Sequence, residues 1–196
     1  MTQIINGNGP QIFTAGSSLV SAPAQTANGL ELATMSNVKA QAQSQLVLSS
    51  VQPSTSGTFI DFTAIPAGVK RITLVLNLVS TNSTSHFLAQ LGSGSVETSG
   101  YVGQANSGGA LGTNSTAGFL VSTNQAAAAS YTGLVTFVNI SGNTWVEAGY
   151  VGASTLIGTT SSGSKTLSGT LDRVRLTTVI GTDVFDAGSV NILMEF

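Results

Sequence analysis

Ionisable side chains are what this sequence has least of. Asp, Glu, Lys and Arg make up 7% of its 196 residues, beside a single histidine, where an average soluble protein carries roughly 25% charged residues. Six Lys and Arg stand against eight Asp and Glu, a formal net charge of −2. A nucleic-acid partner needs a basic patch that displaces counterions from phosphate. Lys70–Arg71 and the Arg173/Arg175 pair are too little for that, so no nucleic-acid partner is expected. There is no cysteine, which removes disulfide frameworks, thiolate zinc sites and cysteine nucleophiles. No apolar run approaches the ~20 residues of a membrane-spanning helix, and no membrane insertion is expected. The opening Met1-Thr2-Gln3-Ile4-Ile5-Asn6-Gly7 lacks a basic stretch followed by an apolar one. The expectation is a chain made in the cytoplasm without a secretory signal.

The same scarcity thins out catalysis. A Ser-His-Asp arrangement would have to use His86, with Ser83, Ser85 or a distant serine in front and Asp61 or Asp172 behind. No Gly-x-Ser-x-Gly elbow marks a nucleophile, and His86 reads as a loop or strand-start residue before Phe87. Paired carboxylates could run glycoside hydrolysis. The acids are Glu31, Asp61, Glu97, Glu147, Asp172, Asp183, Asp186 and Glu195. Asp183 and Asp186 are close in sequence, but they flank Val184-Phe185 before Ala187-Gly188, which reads as a turn whose amides the two aspartates accept. Calcium loops need several carboxylates within about a dozen residues, and no segment has them. Gly92-Ser93-Gly94 and Gly108-Gly109 lack the Lys-Ser/Thr of a phosphate loop. No catalytic, cofactor-binding or metal-ligating residue is assigned and no cofactor is expected. The chain reads as a structural or binding module, not an enzyme.

Against these absences stand 41% hydrophobic residues, enough for a sizeable core. The remaining surface must be Ser, Thr, Asn, Gln and Gly, which suits repeated copies in an assembly because like charges would repel across symmetric contacts. Residues 1–45 have weak periodicity and few large apolar side chains. They read as an arm or attachment segment, and the spacing of Leu30, Leu32, Met35 and Val38 admits either a short helix or an extended chain.

From Leu46 onward, short alternating runs are split by Gly, Ser, Thr and Asn. In Lys70–Ser80 the side chains of Ile72, Leu74, Leu76 and Leu78 share one face, with Arg71, Thr73, Val75 and Asn77 on the other. Further strands are expected at Leu46–Leu48, Thr58–Phe62, Phe87–Leu91, Tyr101–Gln104, Gly118–Ser122, Tyr131–Ile140, Thr144–Val151, Ser164–Leu167, Arg173–Val179 and Ser189–Phe196. Ser141-Gly142-Asn143 reads as a hairpin loop. This spacing predicts an all-β antiparallel sandwich of jelly-roll type over residues 46–196. Among the aromatics, Trp145, Tyr131 and Tyr150 fall in or beside strands, where core packing is the commoner fate. Tyr101, between glycine-rich loops, is the candidate exposed ring for surface binding.

The C-terminal half carries a resemblance. Lys165-Thr166-Leu167-Ser168-Gly169-Thr170-Leu171-Asp172-Arg173-Val174-Arg175-Leu176 leads on to Phe185-Asp186-Ala187-Gly188-Ser189-Val190-Asn191-Ile192. Together with Ser56-Gly57-Thr58, Ile65-Pro66-Ala67-Gly68-Val69-Lys70-Arg71-Ile72 and Thr144-Trp145-Val146, it resembles the C-terminal domain of tailed-phage and prophage fibre or virion structural proteins. The resemblance covers roughly residues 46–196. It implies a jelly-roll-like sandwich on a virion, usually trimeric, with other phage tail or capsid proteins as partners. The expected role is a tail-fibre or receptor-binding subunit whose sandwich touches a host-surface glycan or protein, with a capsid decoration (head fibre) protein as the alternative. It carries no catalytic residues over.

Overall fold

The computed structural model describes residues 45–108, 112–123, 126–127, 129–155 and 158–196. The chain divides after Ala40, and every described residue belongs to the second unit, Gln41–Phe196. Apart from Gln45, a turn residue, the arm expected over residues 1–45 lies outside the described residues.

The described residues form strands and no helix. In chain order these are β1 (Leu46–Leu48), β2 (Gln52–Pro53), β3 (Ile60–Phe62), β4 (Arg71–Thr81), β5 (Phe87–Ser93), β6 (Ser95–Val96) and β7 (Val102–Ser107). There follow β8 (Thr113–Ser115), β9 (Phe119–Leu120), β10 (Tyr131–Ser141), β11 (Thr144–Ala153), β12 (Gly158–Thr166), β13 (Arg173–Thr178) and β14 (Phe185–Glu195). A nine-stranded antiparallel sheet runs β1-β14-β4-β10-β11-β12-β7-β8, with β2 also on β14, and a five-stranded sheet runs β3-β13-β5-β6, with β9 also on β5.

The pairings β2–β14, β3–β13, β4–β10 and β5–β9 match the outermost strands with each other, then the next, and so inward. One long antiparallel ribbon folded over itself produces that nesting, with its strands divided between two facing sheets. The architecture is therefore the expected all-β, antiparallel, jelly-roll-like sandwich. Strands β11, β12, β7 and β8 widen the larger sheet beyond β10.

Period-two patterning places the core. Ile72, Leu74 and Leu76 on β4, Val135 and Phe137 on β10, and Val190 and Ile192 on β14 are all buried. They belong to one cluster with Phe87, Ala89 and Leu91 of β5 and Val174 and Leu176 of β13. Each large apolar side chain so enclosed stabilises by about 1.5–3 kcal/mol relative to exposure. The hairpin expected at Ser141-Gly142-Asn143 joins β10 to β11, with Ser141 opposite Thr144. Gly142 takes φ 50°, the positive φ that a type II′ loop requires at its first central residue.

One expectation for β4 fails. Leu78 does not share the face of Leu76 but is 56% exposed, and Val79 is buried in its place. Leu78 adopts φ 54°, a left-handed conformation rare for a branched side chain. The register slips on both sides here, between Leu76 and Val79 against β10 and between Asn77 and Ser80 against β14. This is a β-bulge, which re-aims the residues after it. The Leu78 amide donates to Thr132 Oγ1 at 3.0 Å.

Across the strand pair, Gly188 has φ +93°, and a Cβ there would stand 2.3 Å from the Leu78 carbonyl oxygen. The glycine is thus required twice over, for its φ and for the close approach. Its bulge also lets β14 begin at Phe185, where a turn was expected to run until Ser189. Gly188→Ala should lower the unfolding free energy by about 3 kcal/mol, read as a fall in the urea midpoint at unchanged m-value. A change under half that size would show that β14 relaxes away from Leu78.

Candidate functional site

The acids considered for catalysis end mostly on cations. Asp61 accepts two hydrogen bonds from Arg175, at 2.7 and 2.6 Å. Glu195 likewise faces Arg71, at 2.6 and 2.6 Å, and Asp172 accepts from its neighbour Arg173 at 2.7 and 3.1 Å. Arg173 holds the Asp172 carboxyl below its ordinary range. Glu97 meets Lys165 Nζ at 2.6 Å. Burial pushes the Glu97 carboxyl up, but bonds from Lys165 and from the Ser168 amide and hydroxyl outweigh it, and the net shift is down. Asp183 is buried in the segment before β14, while Asp186 lies exposed inside that strand and not in a turn. The Val184 amide between them donates to Asn82 Oδ1. His86 precedes β5 as expected, and partial burial lowers its pKa. Among the described residues no group of His, Asp and Glu is arranged to hold a metal ion.

Tyr101, expected as the exposed ring, is 1% exposed. The physical reason lies on the edge of β5. There β6 pairs Gly92 and Ser93, and β9 pairs Leu88 and Ala89, so a gap opens at Leu91. The Tyr101 phenol fills it. Its oxygen accepts from the Leu91 amide at 2.8 Å and lies 3.1 and 2.9 Å from the Leu91 and Glu97 carbonyls, to which its hydroxyl can donate. The ring meets Phe119 edge-on at 4.9 Å, and Lys165 Nζ sits 5.3 Å from its centroid. Burial pushes the phenol well above its ordinary pKa. Tyr101→Phe leaves the Leu91 amide unpaired in the interior, and thermal or urea denaturation should register a loss of about 1–3 kcal/mol.

Of the four rings considered, the exposed one is Tyr150, expected in the core but 60% exposed, whereas Trp145 and Tyr131 are buried as expected. On β11 the core-facing residues are Trp145, Glu147 and Val151. A glutamate thus occupies a core position and a tyrosine an outward one. Glu147 Oε1 accepts from Ser161 Oγ at 2.6 Å, and Oε2 has no partner. Gly149 makes the room, since a Cβ there would lie 2.8 Å from Ser161 Oγ and 3.2 Å from Glu147 Oε1.

Burial pushes the Glu147 carboxyl up to about 7, and the Ser161 bond offsets only part of that. The folded state therefore holds a proton that the unfolded chain releases above its ordinary carboxyl pKa of about 4.3. Stability from this group is complete below that value, falls as pH rises to about 7, and is flat beyond, a total of about 3 kcal/mol. His86 acts in the opposite sense, losing stability as pH falls through its range. Subtracting the pH–stability curve of Glu147→Gln from that of the wild type should isolate the descending limb between pH 4.3 and 7. A flat difference would mean that Glu147 is ionised in the fold.

Outward-facing positions of the larger sheet line up in rows. One row runs Leu48, Leu193, Thr73, Thr136, Ala148, Ser162, Gln104, Asn114. At the β12–β7–β8 end the face holds a groove of about 570 Å³. Val102, Gln104, Asn114, Thr116, Ser162 and Ser164 line it, and Tyr101 contributes from beneath. Val102 is 73% exposed, and none of the ten lining residues is Asp, Glu, Lys, Arg or His. Amides and hydroxyls both donate and accept, so the groove matches an uncharged, hydroxyl-rich ligand and offers no cation to neutralise phosphate or carboxylate. Sequence reading missed this group because β8 has no apolar alternation and its partners lie on distant strands. Only the register brings Ser162, Gln104 and Asn114 together.

Fold and site thus define a jelly-roll-like β-sandwich with a neutral polar groove on a widened sheet. No protein-family model, curated protein or solved structure matches the chain.

Proposed function

We propose that the chain is a non-enzymatic structural protein of a tailed-phage virion, a tail-fibre or receptor-binding subunit made in the host cytoplasm. In this reading residues 1–45 form the attachment arm, and the groove at the β12–β7–β8 end takes a neutral glycan or a hydroxyl-rich protein surface of the host. The observation that carries the binding role is the groove itself, which has amides and hydroxyls on three adjacent strands around the exposed Val102 and no ionisable wall. Four acids held on cations support binding over acid–base chemistry. The virion assignment rests on the resemblance of residues 46–196.

The groove is tested by adding the protein to host cells or to their purified surface polysaccharide. Gln104→Ala with Asn114→Ala should weaken binding about tenfold or more at an unchanged unfolding midpoint, since both side chains face solvent. Unaltered binding would remove the groove from the reading, and new reducing sugar ends would overturn its non-enzymatic part. Antibody labelling of particles should fall on tails. Labelling on heads would make the chain a capsid decoration protein instead.

A further inference from the structure

The two outer faces of the sandwich differ in kind. On the smaller sheet, Asp61, Arg175 and Gln90 stand in one register row, and the Arg173–Asp172 pair lies beside them. Those two ion pairs put charge on that face, although Gln90 itself is buried and donates to the Ala117 carbonyl. The larger sheet from β1 to β11 carries far less. Leu48, Leu134, Val138, Val146 and Tyr150 point outward there, 63%, 53%, 41%, 37% and 60% exposed. They occupy three adjacent rows, in which Val75 pairs with Leu134 and Leu134 with Tyr150, and Arg71 pairs with Val138 and Val138 with Val146. The only ionised groups in these rows are Arg71 and Glu195, which neutralise each other through two hydrogen bonds. The face continues at β12 and β7 into the polar groove, so its apolar part is bounded.

We propose that this apolar face, across β1, β14, β4, β10 and β11, is where a second copy of the chain docks. Charge argues for a copy over an unrelated partner. A face with no net charge meets its own symmetry mate without like-charge repulsion, and its single ion pair can exchange partners across the contact. Area argues the same way. Strands about 4.8 Å apart and rows about 7 Å apart give roughly 500 Å² per copy. That doubles to about 1,000 Å², the lower bound of a specific interface. Shape contributes as well. A groove of about 310 Å³ lined by Leu48, Val51, Val75 and Asn191 borders this face, beside the protruding Leu134 and Tyr150. Knob and hole lie next to each other, so each copy offers what its neighbour fills. Docking on this face is independent of what the polar groove binds.

The test uses the full chain. Sedimentation or light scattering at tens of micromolar should give a mass of two or more copies. Leu134→Glu with Val138→Glu should raise the dissociation constant about a hundredfold or more and yield monomers with an unchanged β-type circular dichroism spectrum. A monomeric wild type overturns the proposal, and so does an oligomer that survives both substitutions. Should the charged variant misfold, a photo-crosslinker at Val138 in the otherwise unaltered chain decides. Cross-links to β1, β14, β4, β10 or β11 of another copy support the proposal. Cross-links to residues 1–44, or none between copies, overturn it.

Discussion

The larger sheet depends on one local constraint, the left-handed backbone shared between Leu78 on β4 and Gly188 on β14. β4 is flanked by β10 and β14, so any change in its parity is felt on both sides. A strand that kept strict alternation would turn Leu78 inward and Val79 outward. The bulge reverses this and brings Val79 into the end of the sandwich where Phe87 meets Tyr131 at 5.2 Å and Phe185 at 5.8 Å. It persists because its cost is locally offset. Thr132 takes the Leu78 amide, and Gly188 removes the Cβ that would strike the Leu78 carbonyl. Strained non-glycine residues survive only where such surroundings hold them in place.

Electrostatics follows from having few charges to place. Asp61 and Arg175 lie on the outer face of the smaller sheet, where Arg175 also covers the Phe59 ring at 3.9 Å. Lys165 is buried and pairs with the partly exposed Glu97, which takes two further bonds from Ser168 at the surface. Glu147 has a hydroxyl in place of a cation and stays protonated to about neutral pH. The larger sheet's outer face is left nearly free of charge, part apolar and part amide and hydroxyl. Those two parts favour different contacts, apolar surface with apolar surface and amide with hydroxyl-rich groups, so one sheet can serve assembly and recognition at once.

Alternation in the sequence was enough to locate most strands and much of the core. Ile72, Leu74 and Leu76 and then Val174, Leu176, Val190 and Ile192 are buried where period two places them. Strands without that pattern were not legible. β8, Thr113–Ser115, is polar throughout, and most of β12 is Gly, Ser and Thr, so that only its end, Ser164–Thr166, was expected as strand. They exist because β7 and β11 present unpaired backbone to them, a tertiary cause that leaves no trace in side-chain hydropathy.

The identity of the binding face was least legible. Tyr101 and Tyr150 exchanged their expected places, for two different reasons. Tyr101 is inside because the Leu91 amide, in the gap between β6 and β9, needs an acceptor, and the phenol oxygen supplies it while its proton can go to the Glu97 carbonyl. Tyr150 is outside because Gly149 empties the core position beside it for the Glu147 carboxyl. By itself, then, the sequence determined that the chain builds an all-β sandwich with an apolar core and little charge, since composition and alternation are local properties. The tertiary structure alone decided which tyrosine faces solvent and which polar residues share a groove. Those outcomes turn on strand register, and a slip of a single residue exchanges the two faces of a strand.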